Sequence, residues 1–374
     1  MARNRIIYQS EALYAGRDKP ANGYIDETGI NNVPGDNRPE QLQRVQSANY
    51  SFEVARQDVN QFGNLAAIDR VILEQPTVSL DFSYYLCDFH NEDKLGYSVN
   101  PDGTDRTNLS SAIASMLTQT TDERNYYIRT VKEGNDASNY ADTTDGNNDV
   151  IAIGNGFMSS YSSEGAVGDF ATANVTVEAL NMAFFEGAFH KRLPSVDPET
   201  GAILKIEGAA TAAQTADGRA VGDELKFDLP KAVTNPGGEV DDKGQTVIRP
   251  GDITLDIPAI GGTPDGMGGA SISDAKIQSY SLNFDLARTP LERLGSKFAF
   301  SREVDFPVTV TMSIDASLGD LVTGDLSNVF DNDKNYDLFV NLKKGGERHC
   351  AYALKGAKLD SQEFSSAIGD NKSV

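Results

Sequence analysis

The segment VQSANYSFEVAR, residues 45–56, returns as IQSYSLNFDLAR at residues 277–288, aligned without a gap at an offset of 232 residues. Gln46/Gln278, Ser47/Ser279, Phe52/Phe284, Ala55/Ala287 and Arg56/Arg288 are identical, and the offset goes on to pair Gly63 with Gly295, Ala67 with Ala299 and Arg70 with Arg302. Both copies alternate apolar and polar residues with a period of two, the mark of a strand with one face on a core. The alternation predicts that Tyr50, Phe52 and Val54 are packed, while Ser51 and Glu53 face a lumen or a neighbour.

Further blocks repeat in the same order. PTVSLDFSYYL from Pro76 corresponds to PVTVTMSIDASL from Pro307, with Val78, Leu80, Phe82 and Tyr84 on one side and Val308, Val310, Met312 and Ile314 likewise. Apolar stripes at helical spacing follow in 108–117 and 318–330. NYYIRTVKEG from Asn125 then matches NYDLFVNLKKGG from Asn335 with a one-residue slip, and GFMSSYSSEGAVGD (156–169) matches GAKLDSQEFSSAIGD (356–370). Collinear matches of this extent read as an internal duplication. They predict a mainly β chain with short helices, made of a first domain over 1–188 and a second over 245–374. Residues 189–244, rich in Gly, Ala, Thr, Asp and Pro, read as a linker or small β insertion on the surface. After AVGD the first copy continues into the strand-like NVTVEALNM, but after AIGD the second gives only NKSV. The repeat therefore leaves a strand position to be filled, either by another part of an assembly or by residues beyond those given.

Motifs for chemistry are missing from the chain. No P-loop, H-E-x-x-H, G-x-S-x-G or C-x-x-C occurs, and GNGFMSS (154–160) lacks the third glycine of a dinucleotide loop. Asp331, Asp333, Asn335 and Asp337 alternate as in a calcium loop, yet Tyr336 stands where glycine is required and Leu342 where the bidentate glutamate belongs. A polar turn is the expectation. His90, His190 and His349 are scattered, His90 reads as a loop residue after a strand, and Cys87 and Cys350 suggest neither a disulfide framework nor a nucleophile with its base. Neither a catalyst nor a cofactor or metal is expected. Arg56 and Arg288, recurring at equivalent strand ends, are the candidate contact residues: either ion pairs to a carboxylate or contacts between subunits.

The formal net charge is −22, which disfavours binding to phosphate backbones. Such a surface serves solubility, or lets nucleic acid slide past without sticking. No apolar run approaches the roughly 18–20 residues of a membrane span, and the basic start MARNRIIYQSEALYAG has no apolar stretch of a signal peptide. A protein made and kept in a cytoplasm is the expectation.

Residues 41–86 and 156–181 resemble the tail tube proteins of tailed bacteriophages, and residues 277–315 and 356–374 resemble them again, together somewhat over a third of the chain. The resemblance implies two fused tail-tube-like β-sandwich or barrel domains, each flanked by a helix. It implies trimeric, pseudo-sixfold rings that stack into a hollow tube in the virion tail, assembled in the host cytoplasm. Its partners would be further copies of the chain and other tail proteins such as tape measure, baseplate or terminator proteins. DNA would pass without specific binding, along carboxylates facing the lumen. A baseplate ring that initiates the tube shares the same fold and is the alternative. An adhesion or glycan-binding β protein is the alternative of another class, disfavoured by the absence of Trp.

Overall fold

The computed structural model describes residues 11–17, 39–87, 89–97, 123–131, 137, 149–186, 192–197, 201–205, 233–234, 240–241, 247–256, 276–296, 298–317, 336–344, 347–358 and 360–361. The helical stripes at 108–117 and 318–330, the acidic comb at 331–335 and the last residues from 362 lie outside them.

The described residues are mainly β. The first half contributes β1 (Glu11–Arg17), β2 (Glu40–Gln41), β3 (Val45–Glu53), β4 (Arg56–Val59), β5 (Asp69–Ile72), β6 (Thr77–Tyr85), the short helix α1 (His90–Leu95), β7 (Arg124–Thr130), β8 (Asp149–Ala166), β9 (Thr172–Ala179) and β10 (Asn181–Glu186). Then follow β11 (Arg192–Val196), β12 (Ile203–Lys205), β13 (Val233–Thr234) and β14 (Val240–Asp241). The second half has β15 (Ile253–Asp256), β16 (Lys276–Asp285), β17 (Arg288–Leu291), β18 (Ser301–Val304), β19 (Val310–Ser317), β20 (Tyr336–Lys344) and β21 (Glu347–Ala357). No described helix is long and apolar enough to cross a membrane.

Strand β8 is the hinge of the architecture. Its first half pairs with β7 and β10, and its second half leaves them to pair with β9 on one edge and β16 on the other. The strand changes partners at Gly154-Asn155-Gly156, where Asn155 adopts φ 53°, a left-handed conformation that Asn tolerates better than most residues. Both glycines are there for closeness. A Cβ on Gly154 would lie 2.3 Å from the Pro194 carbonyl carbon, and one on Gly156 would lie 3.0 Å from the Tyr126 ring. The G-x-G motif thus serves a bend under tight packing.

The resulting sheet runs β3–β6–β9–β8–β16–β19, antiparallel throughout and crossing from one half of the chain to the other. Beside it, β1–β7–β8 in the first half has a counterpart in β15–β20–β21 in the second. Val78, Leu80, Phe82 and Tyr84 are buried on one side of β6, as the alternation predicts. They join Val175, Val177, Met158, Tyr161, Tyr280, Phe284, Val340 and Leu342 in one continuous apolar cluster spanning both halves. Burial of each such side chain stabilises the fold by about 1.5–3 kcal/mol, so the two halves are held together by core as well as by backbone pairing.

Strand registers coincide at the offset read from the sequence. Val45 opposes Tyr84 and Ser47 opposes Ser83, with a bulge at Gln46; Ile277 opposes Ala316 and Ser279 opposes Asp315, with the bulge at Gln278. This places Val78 with Val310 and Leu80 with Met312, one residue along from the alignment on Pro76 and Pro307. The hairpins agree too, Arg56 opposing Ile72 and Arg288 opposing Val304.

The segment 189–244 departs from expectation. Pro194, Ser195 and Val196 of β11 are buried against the first half instead of lying on the surface. The cause is an asparagine clasp: Val196 N–H donates to Asn155 Oδ1 (2.7 Å), Ser195 Oγ donates to Asn125 Oδ1 (2.8 Å), and Asn181 Nδ2 donates to the Pro194 carbonyl (2.7 Å). His90 also departs, being the first residue of α1 rather than a loop residue.

Candidate assembly surface

The side of the six-stranded sheet away from the core is one polar face. On β3 it presents Ser47, Asn49, Ser51 and Glu53; on β6, Ser79, Asp81 and Ser83; on β9, Asn174, Thr176 and Glu178. On β8 it presents Ser160, Ser162 and Glu164; on β16, Ser279, Ser281, Asn283 and Asp285; on β19, Thr311, Ser313 and Asp315. Each strand carries one carboxylate, and all six of them are exposed. No Lys or Arg occurs in 47–53, 77–85, 160–166, 172–178, 279–285 or 311–317. A sheet face this wide with unipolar charge focuses a negative potential that repels phosphate.

Short hydroxyl and amide side chains tie the face across its strands. Ser47 and Ser83 hydroxyls lie 2.7 Å apart, and those of Ser51 and Ser79 2.8 Å apart. Ser279 Oγ donates to Asp315 Oδ2 at 2.6 Å, and Thr172 Oγ1 donates to Glu164 Oε1 at 3.2 Å. Satisfying hydroxyls within the sheet leaves fewer donors directed outward toward an anion.

Under the face, the core contains a buried polar cluster. Tyr84 and Tyr161 hydroxyls both donate to Glu92 Oε1 of α1, at 2.8 and 2.9 Å, and the Tyr161 and Tyr352 hydroxyls are 2.7 Å apart. Burial, and after it the Glu92 charge, pushes Tyr84, Tyr97, Tyr161 and Tyr352 well above the ordinary tyrosine range. Lys94, on the same helix, loses by burial but gains more from its hydrogen bond to Glu40 (2.9 Å), and its pKa is raised. The Glu92 cluster ties α1 and β21 to the two central strands and has no opening that would make it a reactive site.

Arg56 and Arg288 occupy corresponding positions in two separate hairpins, and their surroundings differ. Arg56 is exposed; beside it Arg70 pairs with Asp58 at 3.2 Å. Arg288 is half-buried, with its guanidinium carbon 4.9 Å from the centre of the Phe157 ring; Arg302 lies 4.7 Å from the same ring. Arg288 Nη1 also donates to the Arg302 carbonyl at 3.3 Å. Burial lowers the Arg302 pKa against the attraction of Glu123 and Glu178. Pro290 stands where the first hairpin has Asp58, so the second pair of arginines turns to a ring in place of a carboxylate. Both hairpins expose apolar tips, Phe62 and Leu65 in one and Leu294 in the other.

Tyr50 and Phe52 are a correction to the sequence reading. Their counterparts Leu282 and Phe284 are 3 % and 5 % exposed, but Tyr50 is 38 % and Phe52 62 % exposed. Strand β16 is flanked by β8 and β19, while β3 is flanked by β6 alone among the described strands. The expected packing partner of β3 is therefore missing from the single chain.

Alternation alone would have placed Asp81, Glu178, Asp285 and Asp315 on the polar face; that reading stopped at total charge. Phe157 and Glu92 had no sequence signal, since both act on residues distant in the chain.

No protein-family model matches the chain, and no curated protein does. Among solved structures the chain is similar to the SPP1 tail tube, determined by solid-state NMR and cryo-electron microscopy: 10 % identity and a TM-score of 0.29, over 60 % of this chain and 99 % of that one.

Proposed function

We propose that the chain is a structural subunit of a bacteriophage tail tube. In this reading three copies close a pseudo-sixfold ring, and rings stack into a tube whose channel wall is the polar sheet face. One observation carries it: a continuous antiparallel sheet crosses both halves with a carboxylate on every strand and no basic residue on that face. A wall that must let a polyanion slide needs negative charge and few places to hold a phosphate. The coincident registers at an offset of 232 residues support two equivalent tube units over 1–188 and 245–374, and the exposed edge at β3 supports lateral joining. The resemblance of residues 41–86 and 277–315 to tail tube proteins points the same way.

The reading has no catalytic step and no cofactor. Its partners are further copies, the tape measure, baseplate or terminator proteins at the tube ends, and DNA in transit; its place is the virion tail. Electron microscopy of the purified, concentrated protein tests it. Rings or stacked tubes with a central channel lined by Asp81, Glu164 and Asp285 are expected. A monomer at every concentration, or rings with this face outward, would overturn the proposal.

A further inference from the structure

The chain carries an internal template for its own intermolecular junction. Strand β8 joins β16 by an antiparallel ladder in which Ser279 opposes Ala166, Leu282 opposes Ser163 and Asp285 opposes Ser160. The ladder is closed at its ends by Val167 N–H donating to the Gln278 carbonyl (2.9 Å) and Leu286 N–H donating to the Ser159 carbonyl (2.7 Å). Strand β3 is the counterpart of β16 in sequence, in register against its hairpin partner and in the position of its bulge. Strand β21 is the counterpart of the first half of β8, since each is the third strand of a like sheet, β15–β20–β21 and β1–β7–β8. The second half of β8 and the residues after β21 match through AVGD (166–169) and AIGD (367–370), an offset of 201 residues.

We propose that the free edge of β3 is paired by residues 361–367 of a second copy of this chain, in the register that β8 and β16 show within one copy. The proposal rests on the ring reading above and specifies its contact. Transferring the two offsets sets Ser47 opposite Ala367, Tyr50 opposite Phe364, Ser51 opposite Glu363 and Glu53 opposite Ser361.

Three features on the page favour this occupant. Tyr50 and Phe52 are exposed at 38 % and 62 %, whereas Leu282 and Phe284, which have β8 beside them, are 3 % and 5 % exposed. The transferred register also keeps the two sides of the sheet in order: Phe364 falls beside Tyr50 on the apolar side, while Ser361, Glu363 and Ser365 continue the polar face. A slip of one residue would invert every one of these positions. Size complementarity is retained as well. Gly165 leaves room for Tyr280 within the chain, and Ala48 is the small member opposite Ser366 between chains.

The junctions differ in one respect. Phe157, clamped by Arg288 and Arg302 within the chain, corresponds to Ala357 or Lys358. Arg56 and Arg70 of the second copy meet no ring there, so the joint between copies lacks the clamp of the joint within a copy.

Disulfide trapping tests the register. The hydrogen-bonded ends of the internal ladder make Asn283 and Ser162 a non-hydrogen-bonded pair, the close spacing that a disulfide bridges; Ser51 and Glu363 are their counterparts. Full-length Ser51→Cys and Glu363→Cys chains are mixed, concentrated until they assemble and oxidised, with peptide mapping to separate adducts of Cys87 and Cys350. The expected result is a shift of assembled chain to covalent-dimer mobility through a 51–363 link, lost when Glu363→Cys is replaced by Gln362→Cys or Ser365→Cys. Rings that form without the 51–363 link overturn the register and leave the ring reading standing. A 51–51 link overturns it in favour of β3 pairing with β3. A chain that neither assembles nor links overturns both.

Discussion

Gly165 of β8 faces Tyr280 of β16 so closely that a Cβ on the glycine would lie 2.6 Å from the tyrosine Cε1 and 3.1 Å from Ile253 Cδ1. Tyr280 has little room to retreat, being buried with its hydroxyl 3.2 Å from Ser163 Oγ. The contact sits where the two halves of the chain join. Gly165→Ala is expected to destabilise the fold by about 1–3 kcal/mol, the usual cost of overpacking. Ser281→Ala, one residue along β16 on the polar face, should stay within about 0.5 kcal/mol. Urea midpoints of the two variants check this, and equal midpoints would refute the tight junction.

Glu92 is a buried carboxylate held by two tyrosine hydroxyls. Glu92→Leu removes the acceptor and keeps the volume, leaving hydroxyls to find partners among themselves. Unsatisfied buried groups cost about 1–3 kcal/mol each, so Glu92→Leu should lower stability by that order. Glu92→Gln keeps a carbonyl acceptor and should lose less. Thermal unfolding of the two variants, read side by side, measures the gap; identical losses would mean that the acceptor does not matter.

The same cluster fixes the behaviour in alkali. Tyr84, Tyr97, Tyr161 and Tyr352 have pKa values raised by burial and by Glu92, and burial pushes Tyr126 up to about 12 against the opposing Arg124 charge. In the unfolded chain tyrosine ionises at about 10. The folded state therefore binds more protons above that pH. Stability is full below pH about 10 and falls as the pH rises toward the folded values, by about 1.4 kcal/mol per pH unit for each tyrosine still protonated. Unfolding and phenolate absorbance should rise together. Tyr84→Phe should make the decline shallower, and an unchanged slope would count against the cluster as its origin.

Phe157 lies between two guanidinium groups, and its loss should act locally. Phe157→Ala empties a buried site, typically costing about 3–5 kcal/mol, and removes the surface on which Arg288 and Arg302 stack. Phe157→Leu keeps most of the apolar volume and loses the ring. Limited proteolysis should cut the β17–β18 hairpin faster in Phe157→Leu than in the parent, with the β4–β5 hairpin cut at the parent rate. Equal acceleration of both would show that the ring serves the core and not the arm.

The alternation of Val78 to Tyr84 and the repeat at 232 residues made most of the sheet legible in the sequence, because a strand with one wet face writes its burial into every second residue. The partner of that sheet was not legible. That β8 joins β16 depends on a bend at Asn155 and on glycines chosen for distant neighbours, Gly154 for Pro194 and Gly165 for Tyr280. The burial of β11 was hidden for a similar reason: its asparagine partners, Asn125, Asn155 and Asn181, look like ordinary loop or strand polar residues until the fold brings them to one backbone. Arg56 and Arg288 showed the limit of equivalence, since identical residues in matched hairpins met a carboxylate neighbour in one and an aromatic ring in the other.

The acidic face makes the sharpest demand on the proposed role. Asp81, Glu178 and Asp285 are exposed on three strands of the sheet and form no ion pair with a basic side chain of that face. Replacing all three with lysine should leave the fold of the single chain within about 0.5 kcal/mol per site. In assembled particles it should convert a surface that repels DNA into one that holds it. Co-sedimentation of short duplex DNA with the assemblies reads the change. The parent should bring down no DNA, and the Asp81→Lys, Glu178→Lys, Asp285→Lys variant should retain it at low salt and release it as salt is raised, as counterion release requires. Retention by the parent equal to that of the variant would remove the physical basis for reading this face as a channel wall.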